Sequence, residues 1–96
     1  MEKSLHSAPT LIEKEIIPNL KFKTSVSFKQ QENLMERLLE ATKMGNNDHI
    51  KIAIIFQDDE GLKRVETTIW ATGAKYICLK GGVWLPIDHI KEVQFV

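Results

Sequence analysis

Apolar residues recur at every second position from Ile50 to Phe56 and again from Val65 to Ala71, where Thr67 interrupts them, with the polar stretch Asp58-Asp59-Glu60-Gly61 between the two runs. Alternation of this kind places like side chains on one face of an extended chain, so each run predicts a half-buried strand. The acidic, glycine-ended stretch predicts the turn that joins them. The pattern continues through Ile77 and Leu79, then through Val83, Leu85 and Ile87, and closes on a short strand carrying Val93 and Phe95. Turns are expected near "TGAK", at "KGG" and at "DH". The prediction for this half of the chain is a meander of five short antiparallel strands.

A hairpin register has to keep the apolar residues on one face. A loop over Asp58–Gly61 sets Ile54 opposite Val65 and Ile52 opposite Thr67. A loop over Gly73–Lys75 sets Ile69 opposite Leu79 and Ala71 opposite Ile77. A three-residue loop over Lys80–Gly82 sets Leu79 opposite Val83 and Ile77 opposite Leu85. A two-residue Gly81-Gly82 turn would oppose Leu79 to Trp84 and break the face, so the longer loop, with a glycine in the left-handed conformation, is expected. The same register lines up Trp70, Cys78 and Trp84 on the other face, with Tyr76 and His49 nearby. Each tryptophan has about 150–250 Å² of surface to hide. This face is therefore either a second small core covered by residues 10–26 or a docking surface for a partner or a second copy of the chain.

Upstream, Phe28, Leu34, Met35, Leu38, Leu39, Ala41 and Met44 gather on one side of a helical wheel, opposite Lys29, Glu32, Glu36 and Glu40. They predict an amphipathic helix capped by Ser27, with Gln30 three residues on, and closed by Gly45. Thr10 and Glu13 stand at capping-box spacing, which predicts a short helix stopped before Pro18. "LKFKTSVS" alternates as a strand. Residues 1–9 are polar and end at Pro9, so a frayed start is expected. The expected division is an N-terminal segment over residues 1–26, partly disordered, and a helix with a small β-barrel over residues 27–96.

Composition narrows the function. Ninety-six residues suit one domain with a modest core, and 13 basic residues balance 13 acidic ones. A neutral total gives no support to a nucleic-acid partner, which normally meets a basic face. A lone cysteine, Cys78, excludes an internal disulfide and a cysteine zinc cluster. No apolar run reaches the 18 or so residues of a membrane helix and none suits a signal peptide, so a cytoplasmic protein without membrane contact is expected.

A helix followed by five short strands, ending in "VWLPIDHIKEVQF", resembles the small SH3-like barrels, and particularly the Sm-like type. The resemblance covers about residues 27–96 and rests on element order. It implies an α+β fold in which an N-terminal α-helix caps a strongly bent five-stranded antiparallel barrel, with Pro86–Ile90 as a 3₁₀ corner into the last strand. "VETTIWATG", "LKGG" and "LPIDHI" together look like an uncharacterised bacterial family of small proteins, which implies no activity. Sm-type RNA sites use an Asn-bearing loop and an Arg-Gly pair, and host-factor-type proteins carry Tyr-Lys-His at the corner. This chain has "ATGAK" and "IDHI" in the first two places and "PID" in the last, so the RNA motifs are not matched. Fold does not carry function with it.

The remaining chemistry is thin. Asp88-His89 would suit an acid–base pair, but neighbours in an extended segment point to opposite faces, and Asp at a turn accepts backbone N–H bonds. Asp58, Asp59 and Glu60 would suit a cation, yet lack the ligand alternation of a calcium loop. "KGG" is followed by a strand and not by the helix a phosphate loop opens. His6, His49 and His89 are scattered, and Cys78 has no evident base. Lys21, Lys23, Lys63, Arg64, Lys75, Lys80 and Lys91 are mixed with acidic residues, as on a solvated surface. The expectation is a non-enzymatic binding or assembly module without catalytic residues, cofactor or metal. It would act through Trp70, Tyr76, Cys78 and Trp84 on a protein partner or on itself by edge-strand pairing, with an Sm-like RNA or DNA binder as the alternative.

Overall fold

The computed structural model describes residues 8–95. The architecture is α+β, with one α-helix and seven strands in two sheets. β1 (Thr10–Leu11) leads into a 3₁₀ helix (Lys14–Asn19), and an irregular stretch runs on to α1 (Leu34–Asp48). Then come β2 (Ile52–Asp58), β3 (Gly61–Thr67), β4 (Ile69–Thr72), β5 (Tyr76–Leu79), β6 (Val83–Pro86), a 3₁₀ corner (Ile87–His89) and β7 (Ile90–Phe95). One sheet has the order β1-β3-β2-β7 and the other β4-β5-β6. Among the described residues no closed barrel is found. The chain passes from one sheet to the other at Thr68, where the ladder changes partner, and again at the 3₁₀ corner.

β2 sits between β3 and β7 and is buried from Ile52 to Phe56. Ile52, Ile54 and Phe56 belong to the main core with Val65, Ile69, Ile77, Leu79 and Leu85. Complete burial of such side chains contributes about 1.5–3 kcal/mol each. Ala53 and Ile55 point the other way and are also buried. Their cover is polar at its tips. Arg64 on β3 donates to Glu66 through Nε and Nη2 and across β2 to Gln94 Oε1 at 2.9 Å, laying its apolar stem over the strand.

Of the three elements expected upstream, the first two take another form and the amphipathic helix forms with shifted ends. No helix starts at Thr10, because Thr10 and Leu11 pair in parallel with Lys63 and Arg64, and helical turns begin only at Lys14. The 3₁₀ helix that follows contains Pro18 and sinks Ile17 into the core. "LKFKTSVS" forms no strand. Its backbone is held by Asp59, whose Oδ1 accepts the N–H groups of Lys23 and Thr24 at 2.8 Å each. Ser27 does not cap α1, which starts after Asn33 in the left-handed region (φ 59°). Residues 30 and 31 serve the edge of β7 instead. Gln31 gives its N–H to Lys91 O and uses both ends of its side-chain amide on Val93, while Gln30 donates to Ile87 O and Ile90 O.

Gly45 does not close α1. The helix runs on to Asp48, and His49 (φ 56°) ends it with its N–H on Gly45 O. Gly45 is instead a contact point: a Cβ there would lie 2.6 Å from Thr68 Cγ2 and 2.8 Å from Ile69 O. Of the apolar stripe, Leu34, Leu38 and Ala41 are buried. Met35 and Leu39 are exposed, while Thr42 and Asn46 reach over β4 to Thr72 Oγ1 and Trp70 O.

Candidate functional site

The outer face of β4-β5-β6 carries the residues picked out by the alternation. Cys78 opposes Trp84, Ile77 opposes Leu85, and Leu79 opposes both Ile69 and Val83. The turn between β5 and β6 spans Lys80–Gly82, with both glycines at positive φ (89° and 84°) and Gly82 N–H on Leu79 O. One expected pairing fails. Ile77 faces Thr72 and not Ala71, because a bulge at Trp70 adds a residue to β4 and Ala71 slides opposite Cys78. The extra residue leaves both Trp70 and Ala71 on the solvent side, beside Cys78. Trp70, Tyr76 and Trp84 are 47%, 50% and 59% exposed, and Cys78 is half-buried. The segment over residues 10–26 does not cover these rings. It passes beside them, with the 3₁₀ helix running along β6.

That path opens a groove of about 430 Å³ between the segment and the sheet. Ile17, Pro18 and Phe22 line one side, Tyr76, Trp84 and Pro86 the other, and Lys75, Asp88 and His89 also border it. The aromatic face and the groove thus share Tyr76 and Trp84. His89 Nδ1 lies 3.1 Å from Gln57 O. A carbonyl only accepts, so Nδ1 is the donor in this contact. The ring also meets Phe22 edge-on at 5.3 Å. Among the described residues no hydrogen bond joins Asp88 to His89; Asp88 is exposed at the corner, and His89 is held by the backbone and by Phe22. An acid–base dyad is not assembled there.

The acidic turn is occupied by the protein's own donors. Asp58 is buried, and its Oδ1 accepts from the N–H groups of Glu60 and Gly61 and from Lys63 Nζ at 3.0 Å. Asp59 is spent on the N-terminal segment. Its pKa lies below the ordinary carboxylate value, chiefly because the Thr24 N–H bonds the ionised form. No group of three or more His, Cys, Asp or Glu among the described residues is arranged to hold a metal ion. Also among the described residues, no helix is long and apolar enough to cross a membrane. His6 lies outside the described residues, and His49 is exposed at the end of α1. The sequence points to His89 only as a partner for Asp88 and gives no sign of Pro18 or Phe22, because the Asp59 contact that holds residues 23 and 24 is long-range.

No family model, no curated protein and no solved structure matches this chain.

Proposed function

We propose that the chain is a non-enzymatic binding module that docks a protein partner on the face formed by Trp70, Tyr76, Cys78 and Trp84. The observation that carries this reading is the exposure of three large rings on one small sheet, beside a segment that could have covered them and does not. Contiguous aromatic surface of this kind is characteristic of interfaces, where Trp and Tyr supply much of the binding energy. The groove extends the same surface past Trp84 to Phe22 and His89.

We read the two sheets as the halves of one strongly bent barrel of SH3-like or Sm-like order. β3 and β4 form a strand bent at Thr68, and β7 returns beside β2 after the 3₁₀ corner. Self-association by edge pairing is the weaker form of this proposal, because the edges are engaged: β3 by β1, β7 by Gln31, β4 by α1, and β6 by the neighbouring 3₁₀ helix.

A nucleic-acid partner is a second reading, favoured by one observation. Residues 67–87 contain no Asp or Glu, so the sheet that bears the rings carries Lys75 and Lys80 without a carboxylate of its own. Stacking rings beside cations suit single strands.

Trp84→Ala and Tyr76→Ala should fold with stability within about 0.5 kcal/mol of the parent, as exposed positions do. Each should weaken partner capture by about thirtyfold, the scale of an interface hot spot. Unfolding of both variants would show that the face is core. Titration with mixed single-stranded oligonucleotides at low and high salt separates the two partners. Absence of binding at low salt removes nucleic acid, since phosphate contacts strengthen as salt falls.

A further inference from the structure

We infer that a second site, sharing no lining residue with the aromatic groove, binds a phosphate-type oxyanion. Four separate segments converge on a cavity of about 250 Å³: residues 12–14, 49–51, 66–68 and Lys80 of the "KGG" turn. They bring Lys14, Lys51, Lys80 and His49 around Thr67 and Thr68. The cavity is smaller than the roughly 300–1,000 Å³ of pockets for drug-sized ligands, so its occupant is a small group and not a large organic molecule.

Thr67 identifies the kind of group. It is only 5% exposed, and its hydroxyl makes no hydrogen bond to another described residue. Its neighbour Thr68, equally buried, gives its proton to Ile50 O at 3.3 Å. Buried hydroxyls nearly always have a partner, and an unpaired one costs free energy. Thr67 therefore has a proton to give in a cavity bordered by ammonium groups. An acceptor rich in negative charge answers both features.

The charges around the cavity do not cancel. Two carboxylates line it, Glu13 and Glu66. Glu66 Oε2 is already bonded by Arg64 Nε and Nη2 at 3.1 and 2.9 Å, which neutralises it from outside the cavity. Lys14 is paired with Glu15 at 2.8 Å, and its side chain lies over the turn, since a Cβ at Gly81 would come 3.4 Å from Lys14 Cε. Among the described residues Lys51 and Lys80 form no ion pair, so both are available to an anion. The turn that a sequence reading assigns only to chain reversal thus delivers a lysine to a shared cationic cavity.

Titration of the full chain with inorganic phosphate, followed by amide chemical shifts, tests the site. Saturable shifts are expected at Thr67, Thr68 and Lys80, with half-saturation near 1 mM, about the affinity of a small ligand held by a few polar contacts. Lys51→Ala and Lys80→Ala should each weaken binding by about two- to fivefold, the scale of a partly exposed charge contact. Thr67→Val keeps the shape of the strand residue and should weaken binding while the amide spectrum stays folded. Lys75→Ala, on the other end of the sheet, should leave it unchanged. Shifts reproduced by sodium chloride at matched ionic strength would overturn the site, as would equal affinity in Lys51→Ala, Lys80→Ala and the parent. None of these substitutions touches Trp70, Tyr76 or Trp84, so the result is independent of the docking face.

Discussion

Asp59 directs the course of the N-terminal segment. Two backbone N–H groups converge on its Oδ1, and its own N–H reaches Lys21 O at 2.9 Å. Because its folded pKa is depressed, the stabilisation it supplies is complete above the unfolded value of about 3.9 and is lost as pH falls through the folded one. Asp59→Asn should therefore be less stable than the parent at pH 5, and the gap in urea midpoint should close below about pH 4. A gap that stays constant over that range would show that the carboxylate charge is not what holds residues 23 and 24. Gly45 acts through space and not charge. Alanine is the better helix former by about 1 kcal/mol. Yet its methyl would meet Thr68 Cγ2 and the Ile69 carbonyl at 2.6 and 2.8 Å, and a strand carbonyl cannot swing aside. Gly45→Ala should lose about 1–3 kcal/mol in chemical denaturation, as overpacked sites do. A gain would mean that α1 is free to shift on the sheet.

At the scale of elements, legibility followed the range of the interactions. The β2–β3 and β5–β6 hairpins could be registered from alternation and loop glycines alone, because partners lie within a few residues of the turn. The pairing of Cys78 with Trp84 followed from the same register, whereas on β4 the bulge sets Ala71 and not Trp70 opposite Cys78. The bulge at Trp70 left no local mark, since alternation continues across it and only pairing reveals the extra residue. Over residues 10–33 tertiary bonds override both propensity and spacing. Gln30 stands at cap spacing from Ser27, but its partners and those of Gln31 lie 57 to 62 residues away on the 3₁₀ corner and β7. The groove depends on contacts of this kind, so only its sheet wall was visible in the sequence. The cationic cavity was hidden for the same reason: Lys14, Lys51 and Lys80 are neighbours only once β1 and the "KGG" turn are in place.

For the whole molecule, the placing of β2 between a near and a distant partner sets an order of assembly. β3 follows β2 across a tight turn, whereas Ile52 pairs with Phe95 and Ile54 with Val93, some forty residues on. Closing a long loop costs more entropy than closing a short one, and must be met before its contacts form. The β2–β3 hairpin should thus form in the folding nucleus, and docking of β7 should come after the rate-limiting barrier. Val65→Ala should slow folding, with a φ-value of about 0.5 or more, while Val93→Ala should mainly speed unfolding, with φ near 0–0.3. Equal φ-values at the two sites would refute that order. If it holds, β2 stands with one bare edge until the chain has run through β7, and Ile52 to Phe56 form an apolar strand open to pairing with another chain for that interval. The protein's exposure to aggregation would then be governed by how fast β7 docks, and not by the stability of the finished fold.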